Sequence, residues 1–161
     1  MGQIERSAMD ALAERWREAW DEGEFERCCT PDVSYEDPVV VDPMRGVDSL
    51  REHAASLRRA FPDLKVEATS PPLGREGYAC IPWRAVGTHK GEVAMLPATN
   101  RFLTLHGLHY VELSDGVVRR ARGFFDLYDA AVQLGLLPRR GSLGESALML
   151  LRGFGLLRPR A

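Results

Sequence analysis

The segment from Arg101 to Leu136, RFLTLHGLHYVELSDGVVRRARGFFDLYDAAVQLGL, constrains the fold more than any other stretch of the chain. It reads as two long strands joined at Ser114-Asp115-Gly116, then a short helix from Leu127 to Leu134 that Gly135 closes. Side chains alternate along a strand with period two. Leu103, Leu105, His109, Val111 and Leu113 therefore share one face of the first strand, and Phe102, Thr104, His106, Leu108 and Tyr110 share the other. Both faces carry bulky apolar groups, which implies a solid core against one and a lined cavity or a partner surface against the other. In the second strand Arg122, Phe124 and Asp126 alternate with Ala121, Gly123 and Phe125, so Asp126 shares a face with an aromatic ring.

Upstream, apolar residues recur at Met9, Leu12, Ala13, Trp16, Ala19 and Trp20, the spacing of one face of a helix running from Ile4 to about Glu22. A second short helix is expected over Glu24 to Cys29, and a short strand over Val33 to Glu36 that Asp37-Pro38 breaks. The loop Asp37 to Gly46 has an apolar middle. A third helix then carries Leu50, Ala54, Leu57 and Phe61 on one face and stops at Pro62. Strands follow over Leu64 to Thr69 and Tyr78 to Thr88, with a turn at Ser70 to Gly74 between them; Pro82 implies an edge position or a bulge. Helices followed by mostly antiparallel strands make an α+β arrangement. A long sheet of this kind must twist. The expectation is a cone-shaped α+β barrel, a curved mixed sheet wrapped around the N-terminal helices and enclosing an apolar cavity.

Length and charge bear on partners. The 161 residues suit one domain, read as 1–138, followed by an extension, 139–161, that could act as a lid or an interface helix through Ala147 to Leu151. A formal charge of −2 gives no electrostatic reason to expect nucleic acid, and no window is apolar enough for a membrane span. Cys28, Cys29 and Cys80 form neither a disulfide framework nor a spaced zinc motif, and the four histidines make no ligand pattern, so neither metal nor cofactor is expected. Buried thiols and a charged amphipathic N-terminus suggest a cytoplasmic protein.

Several segments carry a family resemblance: Ala19 to Glu24, Pro31 to Pro38, the run Gly46 to His53 leading to Ala60-Phe61-Pro62-Asp63-Leu64, Trp83 to Gly91, and Phe125-Asp126 with Gln133-Leu134-Gly135. Together they resemble the SnoaL-like polyketide cyclases and ester cyclases of the nuclear-transport-factor-2-like superfamily, over about Met9 to Leu137. That superfamily also contains ketosteroid isomerases, scytalone dehydratases and limonene epoxide hydrolases. The resemblance implies cofactor-free ring closure through an enolate, with Asp126 as acid/base and His109 as its strand partner; His106 is the alternative after a small slip in alignment. An overlay on the ketosteroid isomerases implies instead a base at Asp37 within Glu36-Asp37-Pro38-Val39, with Trp16 and His109 at the oxyanion positions. Trp16 offers an N–H but no acidic hydroxyl. By analogy with the fold, a homodimer is expected.

Each candidate has a plainer role as well. Asp126 as an acid/base needs a pKa raised by neighbours such as Phe124, yet Asp before a helix is also a natural cap. His109 could hydrogen-bond a developing oxyanion or serve as a neutral core histidine. Asp37 could be a base or cap its own turn. Arg122 could pair with Asp126 or hold an anionic substrate group. Trp16, Trp20, Tyr35, Trp83, Phe102 and Phe124 are candidate walls for a flat, apolar ligand, and His89 beside Lys90 reads as a solvated turn. These readings favour a small cyclase or isomerase acting on an apolar carbonyl compound. A dehydratase, an epoxide-opening hydrolase and a non-catalytic ligand-binding protein are the alternatives.

Overall fold

The computed structural model describes residues 3–93 and 95–153, with side chains from residue 8 onward. The hairpin at its centre pairs β6 (Phe102–Ser114) with β7 (Val117–Phe125), and its turn places Asp115 and Gly116 at φ 51° and 79°, the conformation that a tight right-twisted hairpin requires. β5 (Tyr78–Thr88) lies antiparallel on the other side of β6, with Ile81 opposite His109 and Trp83 opposite Gly107. β1 (Cys29–Glu36) runs parallel to β7, setting Tyr35 beside Ala121. The outer strands are β2 (Met44–Arg45) against β1, β3 (Lys65–Ala68) against β5, and β4 (Leu73–Arg75), which also pairs with β5.

The sheet is mixed and mostly antiparallel, as expected, but it is open. Its order is β2-β1-β7-β6-β5-β3, and β2 and β3 do not pair, so the barrel expected from the sequence is not formed. Closure needs strands long enough to meet at a common tilt and stagger. Here one edge is only two residues long, and the other, four residues long, carries Lys65 and Glu67. Short, charged edges resist further pairing. Twist was legible in the long strands; whether the ends would meet depended on these two short ones.

α1 (Gln3–Glu22) and α2 (Val47–Ala60) pack on the inner face. The main core gathers Leu12, Trp16 and Ala19 of α1, Leu50 and Ala54 of α2, and Val33, Val111, Val118 and Ala121 of the sheet. Three smaller expectations change. The second helix is a single 3-10 turn, Phe25–Arg27, buried through Phe25. β1 begins at Cys29 rather than Val33, and Pro31 falls where its register with β7 shifts, a stretch that needs no regular ladder. β5 is an inner strand despite Pro82: the proline sits where its outer neighbour changes from β3 to β4, and its carbonyl accepts from Thr69 N at 3.4 Å. An inner strand tolerates a missing N–H at such a break.

α3 (Leu127–Gln133) follows β7 directly. Gln133 fastens it to β6, accepting from Thr104 N at 2.9 Å and donating to Thr104 O at 2.8 Å. α4 (Leu143–Leu151) begins at Ser142, whose hydroxyl caps Glu145 N, and buries none of its residues; Leu143 is 91% exposed. Residues 154–161 of the expected extension lie outside the described residues. Among those described, no helix is long and apolar enough to cross a membrane.

Candidate active site

Strand parity sends Leu103, Leu105, His109 and Val111 of β6 inward together with Ala121, Gly123 and Phe125 of β7. Above them lies a cavity of about 310 Å³ bounded by α2, β5 and α3, with Leu57, Ala85, Leu96, Leu103, Phe125 and Leu134 among its walls. Its lining is overwhelmingly apolar. Tyr35, Asp37 and His109 bring polar atoms to it in one connected cluster.

That cluster has a direction. Trp16 Nε1 can only donate, so His109 Nδ1, 3.1 Å away, must accept and the neutral ring must carry its proton on Nε2. His109 Nε2 faces the Tyr35 hydroxyl at 3.5 Å, and that hydroxyl donates to Asp37 Oδ2 at 3.0 Å. His53 Nε2 reaches the same oxygen at 3.1 Å, while Asp37 Oδ1 accepts from Val39 N and Val40 N at 2.8 and 3.1 Å. Every proton in the chain points toward one carboxylate.

The electrostatics follow from that arrangement. Burial pushes the Asp37 carboxyl upward, but the hydrogen bond and charge of His53, the Val39 amide and the Tyr35 hydroxyl outweigh it and hold the pKa below its ordinary value. Its side chain is only 4% exposed. Burial, then the charge and hydrogen bond of Asp37, raise Tyr35 well above the usual phenol. Burial lowers His109 from 6.5 to about 3, against a smaller opposing pull from Asp37. At neutral pH Asp37 is an anion, with the neutral Tyr35 hydroxyl and the neutral His109 ring beside it.

Of the ten residues singled out from the sequence, Asp37, His109, Tyr35, Trp20 and Trp83 line this cavity, and Trp16 stands immediately behind His109. Asp126 does not join them. It is exposed and caps α3, accepting from Asp129 N at 2.9 Å. Phe102 and Phe124 are 60% and 45% exposed on the outward face. Arg122 is outward too, 3.3 Å from Glu36 and 5.3 Å over the ring of Phe124, and it does not pair with Asp126. The alternation along β7 is therefore right and its sidedness reversed: Phe125, not Phe124, meets the cavity. His106 also points outward, which leaves His109 as the strand histidine of the site. His89 is fully buried against Phe61 rather than solvated, and Thr99 N and Oγ1 lie 3.2 and 3.1 Å from its Nδ1.

His53 was missed. It lies three residues after Leu50 and four before Leu57, on the face of α2 that packs inward, and helical spacing could have found it. Gly123 was missed as well. Directly opposite His109, it has room for no side chain: a Cβ there would stand 2.9 Å from the Tyr35 hydroxyl and 3.0 Å from Asp37 Cβ. Gly123→Ala is expected to displace the hydroxyl and cost roughly 1–3 kcal/mol of stability, measured by urea denaturation; an unchanged midpoint would mean that the cluster is loosely packed.

Among the described residues no group of three or more His, Cys, Asp and Glu side chains is placed to hold a metal ion. No curated protein sequence matches the chain. Its fold is similar to that of TsrD from Streptomyces laurentii, with 21% identity and a TM-score of 0.72 over 82% of this chain and 98% of that one. A protein of Jannaschia sp. CCS1 assigned as a SnoaL-like polyketide cyclase shows 18% identity and a TM-score of 0.69, with 81% and 96% covered. A phenazine biosynthesis-related protein of Pseudomonas aeruginosa shows 18% and 0.66, with 86% and 93% covered. At such identities the likeness speaks for the fold alone. Sequence goes further: the family model for SnoaL-like polyketide cyclases matches residues 7–134, from α1 through α3 and across every residue that lines the cavity except Leu136, and the chain belongs to that family.

Proposed function

We propose that the protein is a cofactor-free enzyme acting on an apolar, polyketide-like carbonyl compound, with Asp37 as the base and His109 as the group that stabilises the enolate oxygen. The observation that carries this reading is the Tyr35–Asp37–His109 cluster facing an otherwise apolar cavity. Removing a proton beside a carbonyl needs a base and a donor aimed at the oxygen where charge develops. His109 is suited to the second role because it is neutral and its Nε2–H is fixed by Trp16 on the far side. A neutral imidazole can donate without first having to gain a proton.

Asp37 is already hydrogen-bonded through both oxygens. A carbonyl oxygen that draws the Tyr35 hydroxyl to itself would free one lone pair of Oδ2 and remove one of the contacts that depress the carboxyl pKa. Binding would then strengthen the base where it is needed. Tyr35 and His109 would both face the new oxyanion, and the carbanion could close a ring or return its proton at another carbon. Asp126 keeps to capping α3 in this account.

The full engagement of Asp37 also favours a second reading, a binder that holds an apolar molecule without reacting. Exchange in heavy water separates the two. With butyrophenone as a simple ketone, the enzyme reading predicts protein-dependent deuterium uptake beside the carbonyl, followed by proton NMR. Binding without uptake above the buffer rate would leave only the binder. Asp126→Asn is expected to keep uptake within about threefold of the parent rate, since Asn caps a helix about as well as Asp.

A further inference from the structure

On the far side of Trp20, Trp83 and His109 from the first cavity lies a second cleft of about 300 Å³. It opens between α1 and the turn joining β3 to β4. Its inner walls include Ile81, Val66 and Pro72, and its rim carries Asp10, Glu14 and Arg17. Trp20, Val66, Trp83 and His109 line both spaces, so a single layer of side chains separates them.

The members of that layer are held differently. Trp16 and His109 are joined by a hydrogen bond. The indole N–H groups of Trp20 and Trp83 are buried with no hydrogen-bond partner among the described residues. Trp20 stacks on His109 at 5.4 Å with the rings 5° from parallel, and Trp83 leans on His109 and Phe125 at 5.5 and 6.0 Å. Among the described residues neither indole is tied by a directional bond, so either ring can swing aside without breaking a hydrogen bond.

We propose that the second cleft is a subsite for the far end of the same substrate, with Trp20 and Trp83 as the gate between the two spaces and Trp16–His109 as its fixed post. The substrate class is then an elongated apolar carbonyl compound. Its carbonyl lies at Asp37 and His109, and its tail passes the indoles toward α1. This rests on the reading of the first cavity as the seat of the reacting carbonyl. Bulk added in the second cleft would shorten the acceptable ligand without touching the polar cluster.

The test compares two ketones that share a head group, butyrophenone and decanophenone, by equilibrium titration of intrinsic fluorescence. All three tryptophans of the chain surround the partition, so the signal reports on it directly. Each buried methylene is worth about a fourfold gain in affinity at full burial. The wild-type protein is expected to bind decanophenone at least about tenfold more tightly than butyrophenone, on that basis. Ala68→Phe, at an exposed position on the sheet side of the cleft, should reduce the advantage to about threefold or less while butyrophenone binds as before. Ala13→Leu fills the cleft from the helix side and should do the same, which guards against one variant failing to fold. Equal binding of the two ketones by the wild type, survival of the advantage in both variants, or parallel weakening of both ketones would each overturn the proposal. Absence of deuterium uptake would remove the enzyme reading and leave the length preference standing, so the two failures are distinguishable.

Discussion

Asp37→Asn is expected to lower the rate of ketone deuteration by about 10²- to 10⁴-fold, the usual contribution of a positioned general base, while butyrophenone binds within about threefold of the parent affinity. Asn keeps the shape and can still accept from the amides of Val39 and Val40 through its oxygen, so the turn it closes survives. What it cannot do is present an anion to Tyr35 and His53, both of which aim protons at Oδ2. The amide would place its own donors against theirs, and the Tyr35 hydroxyl would turn away. His53→Gln should give a milder version, because Gln retains a donor but not the ring that packs at 6.0 Å from Trp20. A separate measure of kcat and KM for deuteration distinguishes loss of the base from loss of fit: the base reading places the loss in kcat. If Asp37→Asn retained a rate within tenfold of the parent, the proton would be going elsewhere and the carboxylate would be a turn cap alone.

The contrast between Asp37 and Asp126 shows what the sequence could and could not decide. Alternation along β6 put Leu103, Leu105, His109 and Val111 on one face, and that face is the inner one. The same alternation put Asp126 with Phe124 and Arg122, also correctly, but both faces of the hairpin carry bulky apolar groups and periodicity has no means of saying which is covered. The helices decide it by packing against Ala121 and Val111, a long-range fact. Asp37 was legible as a turn residue before a proline and through the overlay on ketosteroid isomerases. The same overlay named Trp16 and His109, which the fold brings within 3.1 Å. His53 required combining a helical wheel for α2 with the end point of β1, two elements whose relative placement local sequence does not encode. Edge length is a similar case: Met44 and Arg45 form a strand only because Tyr35 and Ser34 lie opposite them.

Acidification should destabilise the protein, and His109 should account for a large part of the loss. Its folded pKa, about 3, lies below the ordinary 6.5, so the unfolded chain takes up the proton first. Between those two values the unfolded state binds more protons than the folded one, and stability falls as pH falls. The contribution is complete above pH 6.5 and declines steadily toward pH 3. The slope approaches roughly 1.4 kcal/mol per unit only once the unfolded ring is mostly protonated, so descending by about two units from the ordinary value costs on the order of 2 kcal/mol, a sizeable share of the 5–15 kcal/mol typical of a domain. Asp37, whose pKa is also depressed, adds loss of the same sign in the more acid range below its ordinary 3.8, where its unfolded counterpart is protonated first. His109→Gln retains an acceptor for Trp16 but does not titrate. Urea denaturation of both proteins at several pH values between about 6.5 and 4.5 isolates the group, because every other titration is shared. The difference in unfolding free energy between parent and variant should shrink by about 2 kcal/mol across that interval. Parallel curves would mean that His109 gains its proton in the folded state as readily as in water, which a ring enclosed by Trp16, Trp20 and Trp83 should not do. The same measurement bears on chemistry, since a His109 that titrated normally would be a cation below neutral pH and could not serve as the neutral donor that the proposed enolate step requires.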